Sequence, residues 1–194
     1  MSNLEYLAAA LGIINIVLIV LRSLWNYPFG IAMVALSFFV FFEAKLYSDA
    51  LLQIFFLVVQ IYGWWSWLRG RDTQGALIVE RAGMRTIAAW SVAIAIATGL
   101  WGWLMHALTN AAFPWWDAAV AMISIAAQIM MSRRWIENWM LWVLVDALAV
   151  GLYATRGLWA FAALYVVFFI VAAWGWREWI RVGQTQHDKE ASAA

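Results

Sequence analysis

Cysteine is absent from the 194 residues, and only 12% of them are charged, where soluble proteins average about 25%. The first absence excludes a disulfide scaffold and leaves no thiol for catalysis. Histidine is scarce too. His106 and His187 are placed where no Ser–His–Asp set is plausible, and neither a His-x-x-His nor a Glu-x-x-His metal pair occurs. A glycine-rich phosphate loop is missing as well, so nothing marks the chain as an enzyme or asks for a metal or cofactor. A net charge of +1 supplies no electrostatic footprint for nucleic acid.

What is present is apolar surface. The hydrophobic set makes up 66% of the chain, aromatics 17%, and sixteen residues are tryptophan. A soluble domain of this length has no interior large enough to hide so much, because its surface must stay mostly polar. Only residues 70–85 and the stretch after Arg181 are polar. The chain is expected to be a polytopic membrane protein.

Crossing the hydrocarbon layer as a helix takes about 20 mostly apolar residues. Seven such runs are read, over residues 4–24, 28–45, 47–68, 86–108, 116–132, 134–155 and 158–180. The length of these unbroken runs excludes a β-barrel. An acidic residue near the start and no basic leading region argue against a cleaved signal peptide. Pro28 and Pro114 stand at helix starts, where a missing N–H costs nothing. Of the twelve Lys and Arg residues, ten fall on one side of the spans and only Lys45 and Arg156 on the other. The basic side is therefore read as cytosolic, with the N-terminus outside and the C-terminus inside.

An internal repeat is visible. Shifting the chain by 112 positions aligns residues 26–69 with 138–181 without a gap, and about a dozen pairs are identical. They include Asn26 with Asn138, Leu46 with Leu158 and Phe56 with Phe168, and both copies end in Gly-Trp-x-x-Trp-x-Arg. The expected organisation is a first three-helix repeat at 1–69, a cytosolic loop at 70–85, a linker helix at 86–110, a second repeat at 111–181 and a cytosolic tail at 182–194. An odd linker helix restores direction, so the copies lie parallel, related by an axis along the membrane normal. That is a transporter plan, with its site between the copies near the midplane.

Polar side chains inside a span usually face the bundle interior or a water-filled path. Asp49, Gln53, Phe56 and Gln60 share a face of helix 3, and Asp117, Ser124 and Gln128 share one of helix 5. Trp135, Trp139, Trp142 and Asp146 form a stripe on helix 6, with Asn138 beside them. At about 1.5 Å per residue, Gln60, Gln128 and Asp146 each sit about 18–20 Å into their spans and should meet near mid-bilayer. Amides read hydroxyls or a carboxamide, and indole faces stack on a ring or attract a cation by roughly 0.5–2 kcal/mol.

Plainer roles compete. Most tryptophans are expected in interfacial belts: Trp64, Trp65, Trp67, Trp176 and Trp179 at the basic ends, Trp115 and Trp116 at the other. Belt and site are evenly matched for Trp135. Asp117 is expected to satisfy free N–H groups at the start of helix 5, and Gln53 to bond between helices. A membrane assembly subunit whose stripes merely join helices is the alternative from outside transport.

The segments Trp25-Asn26-Tyr27-Pro28-Phe29-Gly30, Leu46-Tyr47-Ser48-Asp49-Ala50-Leu51-Leu52-Gln53, Tyr62-Gly63-Trp64, Glu137-Asn138-Trp139-Met140-Leu141-Trp142 and Gly175-Trp176-Arg177-Glu178-Trp179 resemble the PnuC family along nearly the whole chain. The resemblance implies an all-α, seven-helix, SWEET-like bacterial inner-membrane vitamin transporter of three-plus-one-plus-three organisation. Nicotinamide riboside is the typical substrate, and thiamine or riboflavin that of relatives. It further implies facilitated diffusion with a cytosolic kinase trapping the vitamin, and a homo-oligomer, a trimer. A family Trp-x-x-x-Trp motif falls on Trp135 and Trp139, and a helix-3 glutamine on Gln60. The expected site has Trp135 and Trp139 stacking a pyridinium, Trp142 as a wall, and Gln60 and Asn138 as hydrogen-bonders. Gln53 and Gln128 are second choices, and Asp146 balances the positive charge.

Overall fold

A computed structural model describes residues 3–43, 47–72, 75–109, 113–155, 157 and 159–193. The chain is all-helical: α1 (Asn3–Val20), α2 (Asn26–Glu43), α3 (Tyr47–Arg69), α4 (Met84–Leu108), α5 (Pro114–Ser132), α6 (Asn138–Thr155) and α7 (Trp159–Ala193). Helices are what such a sequence must form in lipid, because every backbone N–H and C=O then finds its partner within the segment. Pro114 opens α5 as expected. The tail is no loose appendage: α7 continues through it to Ala193.

By length and composition, α4, α5, α6 and residues 162–189 of α7 are apolar enough to cross a membrane. α1 and α2 are 18 residues long each and mostly apolar. In α3, two glutamines and a run of Trp and Tyr lower the mean hydropathy. Lys45, Arg156 and the aligned pair Leu46 and Leu158 lie outside the described residues, as does the side chain of Asp49.

Six helices close into a ring. α1 packs on α2, α2 on α3, α3 on α5, α5 on α6, α6 on α7, and α7 returns to α1. α4 stands outside this ring against α5 alone, its one buried residue Gly102 lying under the ring of Trp115. The two seams that join the early helices to the late ones are α3–α5 and α7–α1.

Contacts at and beside these seams recur at the 112-residue spacing. The Trp67 indole N–H donates to the Met131 carbonyl at 3.1 Å, and the Trp179 N–H to the Ile19 carbonyl at 3.3 Å. Trp67 meets Tyr27 edge-on at 5.3 Å, and Trp179 meets Trp139 edge-on at 5.6 Å. Gly63 accommodates Tyr27 as Gly175 accommodates Trp139. Among the described residues, Arg22 and Arg134 are the two non-glycine ones with positive φ, at 55° and 61°. Each occupies the turn leaving a helix (α1, α5) and reaches across a seam: Arg22 to Glu178 at 3.5 Å, Arg134 to the Ser66 carbonyl at 2.8 Å.

The segment before α4 breaks this symmetry. Gly75, at φ 80°, turns the chain so that Arg71 pairs with Leu77. Glu80 then pairs with Trp135, exchanging backbone bonds with Arg134 and Ile136 at 3.0 and 2.9 Å. The Glu80 carboxylate holds the Arg134 guanidinium. The Gln186 amide bonds the backbone of Val79 and Leu77, and Glu137 accepts from the Ala82 N–H at 2.9 Å. Leu77 and Val79 are buried. The expected polar loop is thus a clasp across the basic ends of α3, α5, α6 and α7.

Candidate functional site

α6 begins at Asn138, because Arg134 takes a left-handed conformation that no α-helix continues through. The Asn138 Nδ2 folds back onto the Trp135 carbonyl at 2.6 Å, as Asn26 Nδ2 does onto the Ser23 carbonyl. From there Asn138, Trp142 and Asp146 recur every fourth residue along one face, with Trp139 adjacent. Asn138 and Trp139 are fully buried, Asp146 is 3% exposed and Trp142 is half-buried against the central cluster.

This face carries a concentration of unpaired polar atoms. Among the described residues, six buried side-chain nitrogens and oxygens have no hydrogen-bond partner. Four of them are on α6: Asn138 Oδ1, Trp139 Nε1, Trp142 Nε1 and Asp146 Oδ2. Leaving such a group dry costs about 1–3 kcal/mol, and more for a charged one. The tryptophans divide accordingly. The indole N–H groups of Trp67, Trp116 and Trp179 all end on backbone carbonyls, whereas those of Trp139 and Trp142 end on nothing. The first three are structural donors. The other two have no acceptor among the described residues.

The geometry corrects several expectations. Trp135 does not continue the α6 stripe: it lies in the turn before the helix, with the Arg133 guanidinium 5.2 Å from its ring centroid. Trp67 and Trp179 are not belt residues, since both are fully buried with centroids 5.9 Å apart. Trp65 does fit a belt, half-exposed under the Arg69 guanidinium, while Trp64 stacks on Tyr27. Gln60 is buried on α3, Gln53 and Gln128 are half-buried, and no hydrogen bond joins Gln60, Gln128 and Asp146 among the described residues. Asp117 is in the first turn of α5.

One polar residue escaped the sequence reading. Asn15 of α1 is 7% exposed and its Nδ2 donates to the Asn26 carbonyl at 2.5 Å. Its signal was present, as the lone amide in an otherwise apolar helix interior, which is costly in lipid. It lies beside Gly30 of α2 and Gln60 of α3.

A family model described as nicotinamide mononucleotide transporter matches residues 2–181. The nicotinamide riboside transporter PnuC of Escherichia coli strain K12 is 29% identical over 217 residues, which cover 99% of this chain and 91% of that protein. The riboflavin/roseoflavin transporter RibM of Streptomyces davaonensis is 32% identical over 173 residues, covering 87% of this chain and 80% of that one. Among solved structures, a crystal structure of the vitamin B3 transporter PnuC matches with a TM-score of 0.75 at 25% identity, covering 94% of this chain and 82% of that one.

Proposed function

The chain belongs to the nicotinamide mononucleotide transporter family and is a multi-pass membrane transporter, not an enzyme; on that footing we propose that it carries nicotinamide riboside across a bacterial inner membrane by facilitated diffusion. The observation that carries the choice of site is the row of unpaired buried polar atoms on α6. Trp139 and Trp142 offer ring faces and free N–H groups, Asn138 a free carbonyl oxygen and Asp146 a carboxylate oxygen. Together they suit a flat, cationic, hydrogen-bonding solute. Gln60 faces the polar part of that solute, with Gln53 and Gln128 behind it and Trp135 at the mouth.

Charge decides between the riboside and its phosphate. A nucleotide phosphate carries about −1.5 to −2 charges and would need Lys or Arg beside it. No Lys or Arg falls within α1, α2, α5 or α6, and the carboxylate of Asp146 would repel the phosphate. The same logic accounts for trapping: once a cytosolic kinase has phosphorylated the vitamin, the site no longer accepts it. The basic ends face the cytosol, with the N-terminus outside, because Lys and Arg concentrate there. Residues 1–69 and 111–181 act as two three-helix units that rock about the site, joined by the helix at 86–110.

Riboflavin is the second reading, favoured by the similarity to RibM, though an uncharged ring would leave Asp146 without its cation. Calorimetry on the purified protein with nicotinamide riboside, its mononucleotide, thiamine and riboflavin tests the choice. Binding of the riboside and not the mononucleotide is expected. Tight binding of thiamine or riboflavin without the riboside would overturn it.

A further inference from the structure

Three residues from three helices meet in the first unit. A Cβ added to Gly30 would lie 2.5 Å from Gln60 Nε2 and 2.8 Å from Asn15 Nδ2. Two amide groups therefore converge over bare glycine backbone, where an added Cβ would displace the ends of both side chains. Both amides are more than nine-tenths buried. Asn15 spends one N–H on the Asn26 carbonyl, and neither amide has an atom among the fully enclosed, unpaired ones.

The positions 112 residues later hold the complementary set. Where the first unit has Gly30, the second has Trp142. Where it has Asn15 and Gln60, the second has Ala127 and Ala172, both fully buried. Volume has been exchanged about the pseudo-axis: small backbone with two amides in one unit, an indole with two alanines in the other. A site lying between the units then has an amide pole on α1–α3 and an indole pole on α6.

We propose that Asn15 is a substrate-reading residue, forming with Gln60 and the floor at Gly30 a pole that binds the sugar hydroxyls. The aromatic ring then lies at the α6 indoles, so the substrate sits in one orientation only. This rests on the reading of the protein as a carrier of a hydroxylated aromatic solute. The chemistry fits: each amide offers a donor and an acceptor, the pattern a vicinal diol requires.

The test compares nicotinamide riboside with nicotinamide, which has the ring and no sugar, by calorimetry on the full-length protein. Asn15→Leu should weaken the riboside roughly tenfold or more, while nicotinamide binding changes less than about twofold. Asn15→Ser, which keeps a donor and an acceptor, should recover part of the loss and guards against misfolding. Gly30→Ala should behave like Asn15→Leu, and Trp142→Leu should weaken both ligands. Equal loss of both ligands in Asn15→Leu, or no loss of either, overturns the proposal while leaving the carrier reading intact. Failure of the unaltered protein to bind the riboside overturns both.

Discussion

Trp67 and Trp179 lie with ring centroids 5.9 Å apart, each fully buried and each donating its indole N–H across a seam, to Met131 and Ile19 respectively. Residues aligned by a shift along the chain thus make the same bond in space. The pair joins both seams of the helix ring at one point, near its basic end.

Removing that donor should cost stability, because each carbonyl would keep only its bond from the backbone N–H of Arg134 or Arg22 and the smaller ring would leave a void. Trp67→Phe and Trp179→Phe are each expected to destabilise the protein by about 1–3 kcal/mol. Thermal unfolding in detergent checks this. The double variant should deviate from the sum of the single effects, since the rings touch.

Trp142→Phe should behave oppositely. Its N–H has no partner among the described residues, so little stability is lost, while riboside binding should weaken severalfold if that N–H serves the ligand. A fall in Tm as large as that of Trp67→Phe, with unchanged affinity, would make Trp142 a packing residue.

Two glycines in spans predict opposite outcomes. A Cβ at Gly175 would sit 2.6 Å from the Trp139 ring, whereas one at Gly99 meets nothing within 4 Å. Gly175→Ala should lower Tm and transport together. Gly99→Ala should leave both intact or raise Tm slightly, as glycine is about 1 kcal/mol worse than alanine inside a helix.

Asp146→Asn keeps the shape of the side chain and removes the carboxylate. Affinity for the cationic riboside should drop about tenfold, with uncharged nicotinamide changed far less. Calorimetry at one pH suffices. A parallel loss of both ligands would assign Asp146 to structure.

The absence of cysteine permits a clean cross-linking test of alternating access. With Arg22→Cys and Glu178→Cys, whose native side chains pair across the α1–α7 seam, a reducible bifunctional thiol reagent should stop uptake into proteoliposomes. A reductant should restore it. Undiminished uptake by fully cross-linked protein would show that this seam does not part during transport.

Much of the fold was legible along the chain, because in lipid a long apolar run has few alternatives to a helix. The pairing of Asn26 with Asn138 was legible too, and both fold back on the residue three before. The fate of individual tryptophans was not. Trp67 and Trp65 stand two apart near the same helix end, yet one is sealed between helices and the other half-exposed. Spacing within a helix says which residues share a face, but not what that face meets. Trp135 departs from the spacing for a local reason: after the turn at Arg134 it pairs with Glu80, and α6 starts only at Asn138. Asn15 stands out along the chain as a lone amide, but its neighbours Gly30 and Gln60 reach it only through packing.

Composition and periodicity alone determined that this chain is a bundle of membrane helices with a doubled three-helix pattern, because hydrocarbon thickness and backbone hydrogen bonding leave no other solution. Only the tertiary structure decided which tryptophans are bonded and which are not. It also decided that the polar segment 70–83 is a clasp, and that two amides share one glycine. Those outcomes depend on which helices become neighbours in the ring, and that is set by contacts between residues far apart in the chain.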